Sequence, residues 1–206
     1  MMKLISIFPT HIGMFKLNRD ISEEEMRFVV DEEQNSVENV KNFIGPNSYI
    51  LEVPALSNLK KFFENSLNEF FYKLHGGYDD SVSMYITQSW LNYTKPNQAH
   101  HRHAHENSII SGVFYFNADI NFDSINVYTR NFLQGYQINI PPKEVNEYNS
   151  ECVSLLAETG RLYLFNSQMP HDVSPTKNNA TRISLAFNSF VKGKMGDKGK
   201  RTELIL

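Results

Sequence analysis

Residues Trp90–Phe116 read WLNYTKPNQAHHRHAHENSIISGVFYF. Four of the chain's seven histidines, His100, His101, His103 and His105, fall within six positions of this stretch. On an extended strand, positions i and i+2 point the same way and lie about 7 Å apart. Two imidazoles at that spacing can converge on one ion with bonds of about 2.1 Å. His101, His103 and His105 would share one face and His100 would point the other way, so spacing alone leaves the pairs 101/103 and 103/105 open. A single His-x-His is as well explained by a solvated polar loop; four clustered histidines favour a metal site.

The pattern around the cluster is that of a β protein. Upstream, Val82, Met84, Ile86 and Gln88 alternate with Ser83, Tyr85 and Thr87, and the run continues to Tyr93, which predicts one long strand. Thr94-Lys95-Pro96-Asn97 reads as a turn. Downstream, Ile109–Phe116 is a near-continuous apolar strand. Shorter strands are expected at 124–128, 152–157, 161–165, 171–174 and 181–190, each bounded by Gly, Pro or Asn. Residues 129–150 read as loops with a possible strand in GYQINI (135–140).

Before residue 80 the period is helical. Asp20 or Ser22 caps a helix running to about Glu33, with acidic residues in its first turn. Leu56, Leu59, Phe62, Phe63, Leu67, Phe70, Phe71 and Leu74 mark a second helix, ended by Gly76-Gly77. Its aromatic stripe fits packing on a sheet better than a ligand box. Residues 34–50 read as a loop with a turn of helix. Leu4–Phe8 and IGMFKL read as two edge strands, or one bent at Pro9, and an exposed N-terminal strand could pair across a homodimer. The order is therefore short β, helices, then seven or eight strands with no helix between them. This predicts a mainly β fold with N-terminal helices, a sandwich or jelly roll. A single domain over 1–206 is expected: support in 1–80, a β core in 81–191, and a mobile polar tail in 192–206.

Composition narrows the function. The formal net charge is -3 with no basic block, which argues against a dedicated nucleic-acid binder. Hydrophobic residues make up 41% and aromatics 13%, enough for a globular core. Cys152 is the one cysteine, which suits a reducing compartment. The apolar run in MMKLISIFPTHIGMF is too short and interrupted for a signal peptide, and no window approaches a membrane span. A soluble cytoplasmic protein is expected, acting on a small molecule or a protein.

Two further segments bear chemistry. His171 opens a short strand after GRLYLFNSQMP, and Arg182-Ile183-Ser184 opens an apolar one. Arg182 interrupts apolar sequence, so its guanidinium is expected inside an enclosed pocket, where it would hold a carboxylate by two parallel hydrogen bonds. Ser184 shares its face. A structural salt bridge to an acid within 144–158 is the competing reading.

Together SWLN (89–92), HAHENSIISGVFYF (103–116), GRLYLFNSQMPHDVSP (160–175) and TRISLAFN (181–188) resemble the iron(II)/2-oxoglutarate-dependent oxygenases. Within them the chain is most similar to a family of bacterial and phage oxygenases with a His-x-His form. The N-terminal FPT…F and LEVPALSNLKKF extend the resemblance over most of the chain. It implies a double-stranded β-helix, a cupin-like jelly roll. It also implies Fe(II) on His103, His105 and His171, and 2-oxoglutarate as co-substrate. Arg182, Ser184, Tyr115 and Asn92 would hold that co-substrate, and hydroxylation would release succinate and CO2. Most of the superfamily carries Asp or Glu where this chain has His105. Three neutral imidazoles leave the full 2+ charge on the metal, whereas a carboxylate would cancel one unit. Glu106 would face away. A three-His, cupin-type dioxygenase without 2-oxoglutarate and a non-catalytic jelly-roll module are the alternatives; a buried Arg182 discriminates against the first. Residues 118–150 are expected to form loops over the barrel mouth, where Tyr128, Arg130, Phe132, Tyr136 and Tyr148 either line a cleft or lie on surface loops.

Overall fold

A computed structural model of the chain describes residues 2, 5, 9–77, 80–128, 141–146, 148–177 and 179–206. The expected strands at Leu4–Phe8 and 135–140, and Arg130, Phe132 and Tyr136, lie outside the described residues.

The elements in order are β1 (Ile12–Lys16), α1 (Glu23–Asp31), β2 (Val37–Glu38), β3 (Phe43–Ile44), α2 (Ser57–His75), β4 (Ser83–Thr94), β5 (His100–His103) and β6 (Ile110–Asn117). Then follow β7 (Ser124–Tyr128), β8 (Cys152–Leu156), β9 (Arg161–Asn166), β10 (His171–Val173), β11 (Arg182–Lys192), β12 (Lys194–Met195) and β13 (Leu204–Ile205). Two antiparallel sheets form the body. The larger runs β1-β9-β6-β11-β4-β3-β2 and the smaller β5-β10-β7-β8. This is the jelly roll that the strand pattern implied.

The helices form where local chemistry favours them. Ser22 caps α1 in a full capping box: its hydroxyl accepts from Glu25 N at 3.2 Å, and Glu25 Oε2 accepts from Ser22 N at 2.8 Å. Helix α2 stops at Gly76, which takes φ +68°, a left-handed conformation that costs glycine little. Its aromatic stripe is core, as the periodicity favoured. Phe63 stacks on Phe187 at 5.4 Å and meets Phe114 at 5.1 Å.

Alternation then sorts the larger sheet. Leu91 and Tyr93, Phe114 and Phe116, and Leu185 and Phe187 point to the helices and are buried there. Their neighbours Trp90, Asn92 and Thr94, Val113 and Tyr115, and Arg182, Ser184 and Ala186 point to the other side and line one cavity. A smaller cluster of Tyr115, Ile125, Ala157, Tyr163 and Phe165 packs beside it.

Three expectations change. Residues 34–50 hold the two-residue strands β2 and β3, which extend the sheet edge: Phe43 pairs with Tyr93 and Ile44 with Asn92. Strands that short leave no periodicity to read; hydrogen bonding to β4 makes them. Thr94 belongs to β4 rather than to the turn. The tail closes as a hairpin, with Lys194 paired to Ile205, a Lys194–Glu203 ion pair at 2.8 Å, and Gly193 and Leu206 exchanging backbone hydrogen bonds.

Candidate active site

Strand pairing builds the histidine-lined end of the cavity. Antiparallel β5 and β10 set His103 opposite His171. His105 lies beyond the end of β5 and is held from the loop: its backbone N donates to Ser167 O at 2.8 Å, and Gln168 Nε2 donates to its carbonyl at 2.8 Å. His103 and His105 therefore meet, though not as two residues on one strand face. Their ligand atoms and that of His171 all lie within 4.8 Å of one another.

Each ring of this trio has its Nδ1 against an oxygen acceptor. His103 Nδ1 lies 2.8 Å from His101 O, His171 Nδ1 2.9 Å from Met169 O, and His105 Nδ1 2.6 Å from Asn188 Oδ1. A carbonyl oxygen can only accept, so each Nδ1 carries the proton and each Nε2 lone pair is left for a ligand. Burial, and then the His103 imidazole, pull His105 down to about 4. Burial foremost also pulls His171 down to about 3 and lowers His103. The rings are thus neutral at neutral pH, the state in which imidazole ligates. The Trp90 indole stacks on His105, ring centres 5.7 Å apart.

His100, His101 and His103 form a second group within the same distance limit. His100 does not turn away as strict alternation predicts. Its ring stacks on His103 at 4.6 Å and lines the cavity. Strand β5 is short and its pairing with β10 slips between His171 and Val173, so alternation is a poor guide there. Glu106 is exposed and joins no ligand group among the described residues.

The other end of the cavity is a buried cation among unpaired polar atoms. Arg182 is 3% exposed; Nη2 donates to Thr94 Oγ1 at 3.0 Å, while Nε and Nη1 have no hydrogen-bond partner. Asp123, 2% exposed, is the acid beside it, not one from 144–158. Its Oδ1 lies 3.7 Å from Nη1, an ion-pair contact too long for a hydrogen bond. Cross-strand pairing aligns the remaining candidates in a row: Ser184 opposes Asn92 on β4 and Tyr115 on β6. The Tyr115 hydroxyl and Asn92 Oδ1 are buried and unpaired too. Leaving a buried polar group unpaired costs about 1–3 kcal/mol. Here two guanidinium nitrogens and a phenol face one space, the donor set that a carboxylate satisfies. Burial lowers the Arg182 pKa and raises that of Tyr115. The residues present therefore fit both groups, an ion at the imidazole end and a carboxylate at the arginine end.

Sequence reasoning missed Thr94, Asp123 and Asn188. Thr94 continues the series 90, 92, 94, and Asn188 the series 182, 184, 186, so extended alternation could have found both. Asp123 follows a turn and leaves no pattern. Two expected mouth residues lie elsewhere: Tyr128 donates to Asp172 Oδ2 at 2.8 Å beneath the Arg102 guanidinium, and Tyr148 is exposed; neither lines the cavity.

The fold recurs in solved structures. A prolyl hydroxylase from Trichoplax adhaerens, in complex with a hypoxia inducible factor peptide fragment, superposes with a TM-score of 0.59 at 14% identity, covering 87% of this chain and 83% of that one. A Pseudomonas putida prolyl-4-hydroxylase gives 0.53 at 14% identity, covering 87% and 92%. HygX from Streptomyces hygroscopicus, with nickel, 2-oxoglutarate and hygromycin B bound, gives 0.55 at 9% identity, covering 87% and 82%. At such identities the likeness establishes the fold. No curated protein matches the sequence. The family described as "Putative 2OG-Fe(II) oxygenase" matches residues 88–188, the segment that holds His103, His105, His171, Arg182 and Asn188. Over this segment the chain is similar to the 2OG-Fe(II) oxygenase family, whose description names Fe(II) and 2-oxoglutarate.

Proposed function

We propose that His103, His105 and His171 hold Fe(II), and that Arg182, with Thr94, Ser184, Tyr115 and Asn92, holds the distal carboxylate of 2-oxoglutarate. The observation that carries this is the single cavity with preset Nε2 lone pairs at one end and unpaired Arg182 donors at the other. Iron in this position supplies oxygen activation coupled to decarboxylation of 2-oxoglutarate, giving succinate, CO2 and a hydroxylated substrate.

The chain's own residues bind, orient and shield. Three neutral imidazoles leave the ion's charge uncancelled, so the dianionic co-substrate supplies the neutralising charge. The Arg182 guanidinium grips one carboxylate, the Tyr115 hydroxyl donates to it, and Thr94 fixes the guanidinium plane. Asp123 offsets the arginine charge in the core. Trp90, Ile125, Phe165 and Val173 wall the cavity with apolar surface and exclude water.

A three-His dioxygenase that takes no 2-oxoglutarate has no use for a buried arginine with two open donors. The substrate is a small molecule or a protein side chain, and the free Cys152 fits work in the reducing cytoplasm. No described helix is long and apolar enough to cross a membrane. Edge strand β1, with Met14 exposed, is the surface on which a homodimer would pair.

Anaerobic titration with Fe(II) and 2-oxoglutarate tests the reading through the metal-to-ligand charge-transfer band. Wild type is expected to show the band and Arg182→Ala to need far more 2-oxoglutarate for it. A wild type without the band rejects the function; equal affinity in both proteins rejects the role of Arg182.

A further inference from the structure

Three imidazoles that converge on one ion through Nε2 each keep a proton on Nδ1, which an acceptor holds and orients. For His103 and His171 that acceptor is a backbone carbonyl two residues earlier, and it comes with the local chain. For His105 it is a side chain 83 residues away, Asn188 Oδ1 at 2.6 Å. We propose that Asn188 is a positioning residue that fixes His105 as a neutral ligand through Nε2, an inference that rests on the metal reading above.

The fold aims Asn188 at this task. It follows Arg182, Ser184 and Ala186 along β11, and the pairing with β4 slips between Asn188 and Ser189. Such bulges re-aim side chains beside active sites. Its neighbour across the β6 pairing is Ser111, whose hydroxyl donates to the same Oδ1 at 2.9 Å. Ser111 also lies 2.8 Å from Ser167 Oγ, which lies 2.7 Å from Ser108 Oγ. Ser111 and Ser167 are at most 1% exposed, so this row of hydroxyls is fixed in the core.

Two donors, Ser111 Oγ–H and His105 Nδ1–H, thus meet at one oxygen, and the amide keeps its oxygen rather than its NH2 toward the histidine. Were the amide reversed, it would donate to Nδ1, and the His105 proton would move to Nε2 and block the ligand position. An amide and a carboxylate both accept from Nδ1 and differ in the charge they bring. A carboxylate on Nδ1 would place a negative charge beside the centre, whereas the amide orients the ring and leaves it neutral. Asn188 and His105 together do the work of one oriented, uncharged ligand.

Co(II) titration of the metal-free full chain, read by d–d absorption, tests this on wild type, Asn188→Leu, Asn188→Asp and His105→Ala. Asn188→Leu is expected to weaken Co(II) binding about 10–100-fold and alter the d–d bands, while Asn188→Asp, which keeps an acceptor, stays within about threefold of wild type. Wild-type affinity and spectrum in Asn188→Leu, or an aspartate variant as weak as the leucine one, overturn the proposal. Should Asn188→Leu not fold, Asn188→Ala is read by the same criteria, since the position is only partly buried. His105→Ala separates the two readings. Loss there without loss in Asn188→Leu sinks the role of Asn188 alone; wild-type binding in His105→Ala sinks both.

Discussion

His105 Nε2 stands 3.3 Å from His171 Nε2, with the Nδ1 of each ring already committed to an oxygen. Two nitrogens without protons gain nothing from that approach in isolation. Two bonds of about 2.1 Å to a shared ion span such a gap at an angle of roughly 100°. The chain holds this spacing through β10 on one side and the loop after β5 on the other.

Ligand identity follows from that pair. His105→Ala and His171→Ala are each expected to lower Fe(II) affinity by about 10-fold or more, measured by anaerobic titration, on the scale seen when metal-site partners are removed. His101→Ala is expected to bind Fe(II) as wild type does, because His101 reaches His103 through its backbone carbonyl, which alanine keeps. Loss of iron in His101→Ala with retention in His105→Ala would move the site to the His100, His101 and His103 group.

Arg182 is expected to matter twice. Arg182→Ala strands Asp123 in the core, and breaking a buried pair costs about 3–5 kcal/mol, to be read in chemical denaturation. Addition of 2-oxoglutarate with metal at about 100 times its dissociation constant is expected to stabilise wild type by about 2.7 kcal/mol and the variant by far less. Equal stabilisation of both would remove the arginine from co-substrate binding.

Acid is expected to weaken the metal-free fold. His105 and His171 stand at about 4 and about 3 in the folded chain, and His100, pushed down mainly by burial, also at about 3. Unfolded histidines titrate near 6.5. Between those values the unfolded chain binds more protons, so stability is full above about pH 6.5 and declines toward pH 4, by up to about 1.4 kcal/mol per pH unit for each such histidine. Metal binding is expected to oppose the decline until the ligands protonate. Denaturant midpoints of metal-free protein that stay flat from pH 7 to 4.5 would contradict this.

Gly112 fills a place that no side chain can. A Cβ there would sit 2.2 Å from Phe187 Cζ, and Phe187 is fully buried and stacked on Phe63. Gly112→Ala is expected to cost about 1–3 kcal/mol as the ring is displaced. A thermal midpoint equal to wild type would show that the ring yields freely.

Strand existence was legible wherever burial is one-sided. Alternation in 82–93 and 109–116, and the apolar face opposite Arg182 and Ser184, name the elements and which residues share a side. Alternation failed at His100 and His105, where β5 is short, its pairing slips and the chain leaves the sheet. It was silent on β2, β3 and the closing hairpin, whose two-residue strands exist only through their partners.

The sequence by itself determined the two periodicities, the capped helices, the histidine-rich segment and the solitary arginine in an apolar strand, because each is set by neighbours along the chain. Which three imidazoles meet, which acid lies beside Arg182 and which amide holds His105 were decided by the tertiary structure alone. Apart from the neighbours His103 and His105, those relationships join residues between 59 and 83 positions apart; the pairing of β5 with β10 and of β11 with β4 and β6, with its bulge at Asn188, together with the loops that carry His105 and Asp123, brings their side chains into contact.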